Sequence, residues 1–283
     1  MSAATRTVIV AGASSLVGRC LLPRLRDAGF CVIALSRQRS GLADGIEWRR
    51  VDVNQREAIP LPADAIYIHL APIWLLPTVL SNAASSRLAR IVAFSSTSVI
   101  SKRDSANPAE RELAARLAAA EQSLMSTSVD WTILRPTLIY GYGEDKNVAL
   151  IARLICRCRV FPLIGAGTGM RQPVHADDLA QAVIQLLDSP AGKRRIYTLS
   201  GGETLSYREM VARIFHALGK HPRIVTLPPW VFAAALGCVR LLPRLRHLHM
   251  EMAYRMNEDL CFSNQQASKD FGYAPRPFNA PLR

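Results

Sequence analysis

The sequence predicts an α/β protein built on a doubly wound parallel sheet, with a smaller, mainly helical C-terminal lobe. Three observations carry this prediction. Short apolar runs rich in β-branched residues alternate with helical patterns from the N-terminus onward, the first run ends in a glycine turn that opens straight into a helix, and the strand-like runs thin out beyond Leu199.

The elements follow in order. Thr7–Ala11 reads as a strand, Val17–Ala28 as a helix and Cys31–Ser36 as a strand, followed by strand Ile66–Leu70, helix Leu75–Leu88 and strand Ile91–Ser95. Runs such as Val8-Ile9-Val10 and Ile91-Val92-Ala93-Phe94 are apolar without alternation, as strands buried on both faces require. An Ala-rich helix at 108–126, strand Trp131–Arg135, a helix at 147–157, helix Ala176–Leu187 and strand Ile196–Leu199 continue the rhythm. Helix Tyr207–Leu218, the apolar stretch 230–242 and a Pro-rich end complete the chain. The expected organisation is a nucleotide-binding domain over 1–165, with 171–200 returning to it, and a substrate or interaction lobe over 201–283.

Composition narrows the classes. With 49% hydrophobic and 20% charged residues in a chain of 283, a disordered, collagenous or coiled-coil protein is excluded. The net charge of +13 comes almost entirely from Arg, since only five Lys occur. That excess suits an anionic partner: a phosphorylated cofactor, a small anionic substrate or an anionic membrane surface. The scattering of the Arg residues, with no basic tail, argues against nucleic acid. The six cysteines contain no C-x-x-C pair, and the C-x-C at Cys156 and Cys158 suits neither zinc nor a disulfide framework, so no metal is expected and the thiols read as buried. Met1–Thr7 is polar and runs directly into the first strand, and Trp230–Leu242 is broken by Arg240 and falls short of the ~20 residues of a spanning helix. A cytoplasmic protein is expected.

The first turn carries the chemistry. In Thr7-Val-Ile-Val-Ala-Gly12-Ala-Ser14-Ser15-Leu16-Val17-Gly18, Gly12 permits a tight turn, Gly18 permits close helix–sheet packing, and the helix N-terminus faces an anionic diphosphate. The middle position, usually Gly, is Ser15.

With this turn, the chain resembles the extended or atypical short-chain dehydrogenase/reductase superfamily, in its NAD(P)-dependent nucleoside-diphosphate-sugar epimerase/dehydratase branch. The resemblance is carried further by Val51-Asp52-Val53, His69-Leu70-Ala71, Phe94-Ser95-Ser96-Thr97-Ser98-Val99, Leu134-Arg135-Pro136 with Tyr140-Gly141, Val174-His175-Ala176-Asp177-Asp178, and the closing Asp270-Phe271-Gly272-Tyr273-Ala274-Pro275. It implies a Rossmann-type domain, a nicotinamide dinucleotide, hydride exchange and helix-joined homodimers. It places Gly12, Ser14, Ser15, Leu16, Val17, Gly18, Leu70, Pro72, Ser95 and Pro136 on the cofactor, with Asp52 and Val53 beside the adenine and Ala71 along the nicotinamide side. For Asp52 a plain strand-end cap is the rival reading. Ser36-Arg37 stands at the end of the second strand, where NAD binders usually carry an acid. A guanidinium there can pair with a 2′-phosphate, so NADP(H) is favoured over NAD(H).

The catalytic set is incomplete. The family uses a Ser or Thr, a Tyr acting as acid/base, and a Lys four residues after that Tyr which lowers its pKa. Ser96 fits the first role. Counting back from Ala119-Ala120-Glu121-Gln122 puts Leu113 and Leu117 at the Tyr and Lys positions; no Tyr occurs between Tyr67 and Tyr140, and Lys102 is the only Lys in that window. Read alone, Leu113 and Leu117 are core packing on one helical face. Arg171, Arg255 and Tyr140 match positions that hold the substrate in the family, with a surface Arg as the bland alternative for the two arginines. His175 reads as structural.

Two functions stay open on this reading. One is an NADP-dependent enzyme acting by hydride exchange on a nucleotide-sugar-like or other anionic hydroxylated substrate. The other is a non-catalytic NADPH-binding structural, redox-sensing or assembly factor. The basic, apolar stretch 230–249 adds a membrane-surface or protein contact, against the alternative of a core helix of the small lobe.

Overall fold

The computed structural model describes residues 6–37, 45–55, 59, 61–82, 85, 87–228, 230–231 and 255–280. Along the chain run β1 (Thr7–Ala11), α1 (Leu16–Asp27), β2 (Cys31–Ser36), β3 (Ile46–Arg50), β4 (Ile66–His69), α2 (Leu76–Leu80), β5 (Arg90–Phe94), α3 (Ser98–Ser101), α4 (Pro108–Met125) and β6 (Asp130–Pro136). They are followed by β7 (Ile139–Tyr140), α5 (Val148–Cys158), β8 (Phe161–Ile164), β9 (Met170–Arg171), β10 (Val174–His175), α6 (Ala176–Asp188) and β11 (Arg195–Leu199). The last are β12 (Leu205–Ser206), α7 (Tyr207–Ala217), β13 (Ile224–Leu227) and α8 (Gln265–Phe271).

The chain divides into two compact units, Met1–Thr137 with Ala176–Leu199 and Ser263–Ala274, and Leu138–His175 with Ser200–Phe262 and Pro275–Arg283. This differs from the expected boundaries at 165 and 201. The chain leaves the first unit at Thr137 because β7 and β8 pair with β10 and β13, not with the large sheet. It returns at the end because α8 packs beside β11 and α6.

The first unit is a seven-stranded sheet in the order β11-β6-β5-β4-β1-β2-β3. Every pair is parallel, with Val8 opposite both Val32 and Ile66, for example. One face buries Ile9, Ile33, Tyr67, Ile91 and Ile133 under α4, which contributes Leu117, Ala120 and Leu124. The alternate residues Val8, Val10, Val32, Ile68 and Val92 are buried on the other face, so the strands are covered on both sides as their unbroken apolar runs require. In the second unit, α5 and α7 pack on one another and bury Ile151, Ile155, Val211, Ile214 and Phe215 with Phe161 and Leu163 of β8.

Two expectations are corrected and one strand is added. The helix expected over Leu75–Leu88 is a 3-10 turn at Ile73–Leu75 followed by the short α2. The Ser81 and Ser85 hydroxyls take the carbonyls of Thr78 and Leu80 and close the helix there. Strand β3, Ile-Glu-Trp-Arg-Arg, lies at the sheet edge and is too polar to read as buried. Of the described cysteines, only Cys20 is buried; Cys31, Cys156, Cys158 and Cys261 are exposed. The stretch 230–249 lies outside the described residues beyond Val231. Among the described residues no helix is long and apolar enough to cross a membrane.

Candidate functional site

The strand order reverses at β1: β2 and β3 lie to one side, and the next strand, β4, lies on the other. In a doubly wound sheet the loops leaving such a switch point at the carboxyl ends of the strands open a crevice. The Gly12–Gly18 turn leaves β1 there. Gly12 has φ +75°, and a Cβ on it would lie 2.6 Å from the Ala71 amide nitrogen, so backbone from β1 and β4 meets with no room for a side chain. The Leu70 N–H donates to the Ala11 carbonyl at 2.8 Å, which holds the two strand ends together. At Gly18 a Cβ would overlap the Ala13 carbonyl.

Ser15 is the N-cap of α1, and its Oγ accepts the Gly18 N–H at 3.1 Å. The usual glycine is thus replaced by a capping hydroxyl that satisfies one amide of the first turn. The Leu16 and Val17 N–H groups, like those of any first turn, have no intrahelical acceptor. The first turn of α1 carries no acidic residue, so its positive end is left to an anion.

At the end of β2, the buried Ser36 donates its hydroxyl to Ser14 Oγ at 3.1 Å, and the Arg37 side chain is exposed. Asp52 folds back on its own turn: Oδ1 accepts the Asn54 N–H at 3.0 Å and Asn54 Nδ2 at 3.1 Å, the strand-end cap that the residue type allows. Val53 is buried.

At β4, the buried His69 ring shares Nε2 with the Pro72 carbonyl at 3.2 Å, and its Nδ1 has no hydrogen-bond partner among the described residues. Burial pulls the His69 pKa down to about 4, so the ring is neutral at pH 7. Leu70 and Ala71 are half-buried and Pro72 is exposed. At β5, the Ser95 Oγ is buried without a partner among the described residues. Ser96 is half-buried; its hydroxyl donates to Ser98 Oγ at 3.1 Å and accepts the Ser98 N–H at 3.1 Å. The Pro136 carbonyl accepts from the Thr97 N–H and hydroxyl and fastens this loop to β6.

Leu113 and Leu117 point into the core beneath α4. Leu117 is 4% exposed within the apolar cluster that contains Ile73, Ala93 and Val99, and Leu113 packs against the same cluster. Lys102 pairs with Glu110 at 3.0 Å, and Glu110 also takes the Ser105 hydroxyl at 2.7 Å. The Arg116 guanidinium lies over the Trp74 ring, 4.6 Å from its centroid. Sequence reading had singled out neither Glu110 nor Trp74, because neither belongs to a spaced motif. An acid in the first turn of a helix after Asn107-Pro108 is the one signal that marks Glu110.

The three residues expected at the substrate lie in the second unit, and the structure gives each a local task. Tyr140 is fully buried, edge-on to His175 and Phe278, and its hydroxyl accepts the Asn279 N–H at 3.2 Å. Arg171 is not a surface residue. Its guanidinium donates to the carbonyls of Met170 at 2.8 Å, Glu258 at 2.6 Å and Arg255. Burial is the main cause that lowers its pKa, and the neighbouring Arg255 adds to it. Arg255 is half-buried in a 3-10 turn at Arg255–Asn257.

Residues 62–200 match the family model described as the NAD dependent epimerase/dehydratase family. Over these residues, just under half of the chain, the sequence resembles that family. It is 32% identical over 179 residues to a 2-alkyl-3-oxoalkanoate reductase of Stenotrophomonas maltophilia, covering 58% of this chain and 53% of the reductase. It is 27% identical over 130 residues to a UDP-glucose 4-epimerase of Vibrio cholerae, covering 44% of this chain and 38% of that epimerase. The matches therefore span about half or less of these relatives' own length. The fold is that of the Thermus thermophilus UDP-glucose 4-epimerase solved in complex with NAD, at a TM-score of 0.68 and 20% identity, covering 98% of this chain and 96% of that one. The family binds NAD(P), and the seven-stranded sheet is its Rossmann-type sheet.

Proposed function

We propose that this chain binds NADP(H) at the carboxyl edge of its seven-stranded sheet and serves as a structural, redox-sensing or assembly factor, without the hydride exchange that a Tyr/Lys pair supports. The observation that carries this reading is the packing of Leu113 and Leu117 into the apolar cluster under α4. No proton donor stands at either position, and Lys102 is held by Glu110.

The residues fit the cofactor. Gly12 lets the turn pass tight against the Leu70–Ala71 backbone, and the Ser14–Val17 turn offers first-turn amides to a dinucleotide diphosphate. Gly18 keeps that turn tight against Ala13. Ser36 and Arg37 supply a hydroxyl and a guanidinium to a ribose 2′-phosphate, which favours NADP(H) over NAD(H). Val53 and Asp52 border the adenine, with one Asp52 oxygen held by Asn54. Leu70, Ala71, Pro72, Ser95 and Pro136 line the nicotinamide side. When bound, the cofactor supplies a hydride or the capacity to accept one. The chain's own groups bind and orient it.

The test is a fluorescence or calorimetric titration with NADPH and NADH in parallel, repeated with Arg37→Ala. NADPH should bind more tightly, and the substitution should weaken it by roughly tenfold or more while leaving NADH nearly unchanged. Failure of both nucleotides to bind at millimolar concentration would end the proposal.

A second reading keeps catalysis: hydride exchange on a nucleotide-sugar-like or other anionic hydroxylated substrate, with Ser96 at the reacting oxygen and Arg171, Arg255 and Tyr140 on the substrate, in a cytoplasmic homodimer. It is favoured by Ser96, half-buried at the end of β5, and by relatives named as a reductase and an epimerase. Its requirement is that Arg171 exchange backbone carbonyls for a ligand. Cofactor turnover with a sugar-nucleotide panel, lost in Ser96→Ala, would establish it and displace the first reading.

A further inference from the structure

Helix α5 is apolar on its buried face and still apolar on its outer one. Val148, Ala149, Ile151, Ala152 and Ile155 face the core of the second unit. On the outer side Leu150 is 54% exposed and Leu154 36% exposed. Arg153 and Arg157, both exposed, alternate with these leucines at positions that share one stripe of a helix. An ordinary solvated helix face carries both signs of charge, but no Asp or Glu occurs between Lys146 and Asp177. Among the described residues Arg153, Arg157 and Arg159 have no acidic partner.

The backbone continues the patch. Arg159 follows α5 in the left-handed conformation, and two residues later the Phe161 N–H donates to the Arg223 carbonyl at 2.9 Å. The parallel pairing of β8 with β13 thus brings the C-terminal end of α5 beside the loop that carries His221 and Arg223, both exposed. That loop belongs to a stretch, Met210–Met250, that also lacks any Asp or Glu. Val225 and Trp230 in the same stretch are exposed apolar residues.

We propose that the outer face of α5, with the adjoining His221–Arg223 loop, docks on an anionic phospholipid surface. Charge complementarity selects an anionic partner. The leucines between the arginines select a lipid surface, because exposed leucines gain from a headgroup–acyl boundary while the guanidinium groups stay at the phosphates. A purely polyanionic partner such as nucleic acid would leave Leu150 and Leu154 without a role.

The test is flotation of the full chain with vesicles of phosphatidylcholine alone and of phosphatidylcholine with phosphatidylglycerol. Two double variants, Arg153→Glu with Arg157→Glu and Leu150→Ser with Leu154→Ser, are run beside the wild type, with thermal unfolding to confirm that each is folded. Both pairs lie on the surface, so folding should be retained. Wild-type protein should float with the phosphatidylglycerol vesicles only, and added salt should release it. The arginine pair should weaken binding by roughly 30-fold or more, from about fivefold per basic residue near a charged surface. The leucine pair should also weaken it, by roughly tenfold. Absence of vesicle binding, equal binding to neutral vesicles, or a leucine pair that binds as the wild type would overturn the proposal; the last result would indicate a purely electrostatic polyanion in its place.

Discussion

The Tyr197 hydroxyl donates to Asp270 Oδ2 at 2.6 Å, joining the outermost strand of the seven-stranded sheet to the last helix of the chain. The joint is reinforced on each side. Ser189 Oγ donates to the Asp270 carbonyl at 2.8 Å, Gln266 Nε2 donates to Asp270 Oδ1 at 2.8 Å, and the Phe271 ring stands edge-on to Tyr197. Tyr197→Phe should keep the ring contact, lose the hydrogen bond, and lower stability by about 1 kcal/mol for a bond to a partly solvated carboxylate. Urea unfolding should show a lower midpoint with an unchanged slope.

Gly12→Ala separates binding from stability. The new Cβ would collide with the Ala71 amide and would sit at a φ of +75° that alanine avoids. Nucleotide binding should be lost, with a stability cost of roughly 1–3 kcal/mol. Calorimetry with NADPH beside a thermal melt checks both. A folded Gly12→Ala protein that binds NADPH as the wild type would show that the turn does not hold the diphosphate.

Leu117 decides how the face of α4 is used. Leu117→Ala should cost about 2–4 kcal/mol, the ordinary loss for a leucine buried in an apolar cluster. Leu117→Lys should cost more, because the ammonium would meet Ile73, Ala93 and Val99, and Glu121, one helical turn on, is already paired with Arg135. Equilibrium unfolding of both variants measures this. A Leu117→Lys protein as stable as the wild type would mean that this position opens to a polar pocket, as a catalytic lysine requires.

His69 sets a pH dependence whose sign follows from its burial. The unfolded chain binds a proton near pH 6.5 and the folded chain only near about 4. Stability is therefore fully present above about pH 6.5 and is lost as the pH falls through that window, by about 3 kcal/mol in all. His69→Gln should flatten this part of the profile, measured as urea stability at pH 7 and near pH 4.5. The Asp270 carboxyl, held low first by Gln266 and then by Tyr197, also loses its contribution as acid protonates it. The His69→Gln difference isolates the imidazole.

The central strands were legible because each is an unbroken apolar run: Cys31–Ser36 and Thr7–Ala11 have the same ends in sequence and structure. Edge strand β3 was not, because Ile46-Glu-Trp-Arg-Arg50 faces a neighbour on one side only and keeps polar residues. The strands β7, β9, β10 and β12 are two residues each, too short for any periodicity. At the site, the glycine turn was readable because backbone crowding dictates residue type. Arg171 was not, since nothing in its neighbours along the chain shows that carbonyls from Arg255 and Glu258 come to meet it. The core packing of Leu117 was readable from spacing alone.

The first unit is assembled from three separate pieces of chain, the last of which is Ser263–Ala274. During synthesis, a domain that starts at the N-terminus ordinarily closes while later residues are still being made. Here β11 gains the acceptor for Tyr197 only after Asp270 has emerged from the ribosome. Completion of the first unit thus waits until the intervening chain of the second unit has been made. A nascent chain stalled before α8 would present the ribosome-bound quality-control machinery with a sheet still lacking its outer fastening.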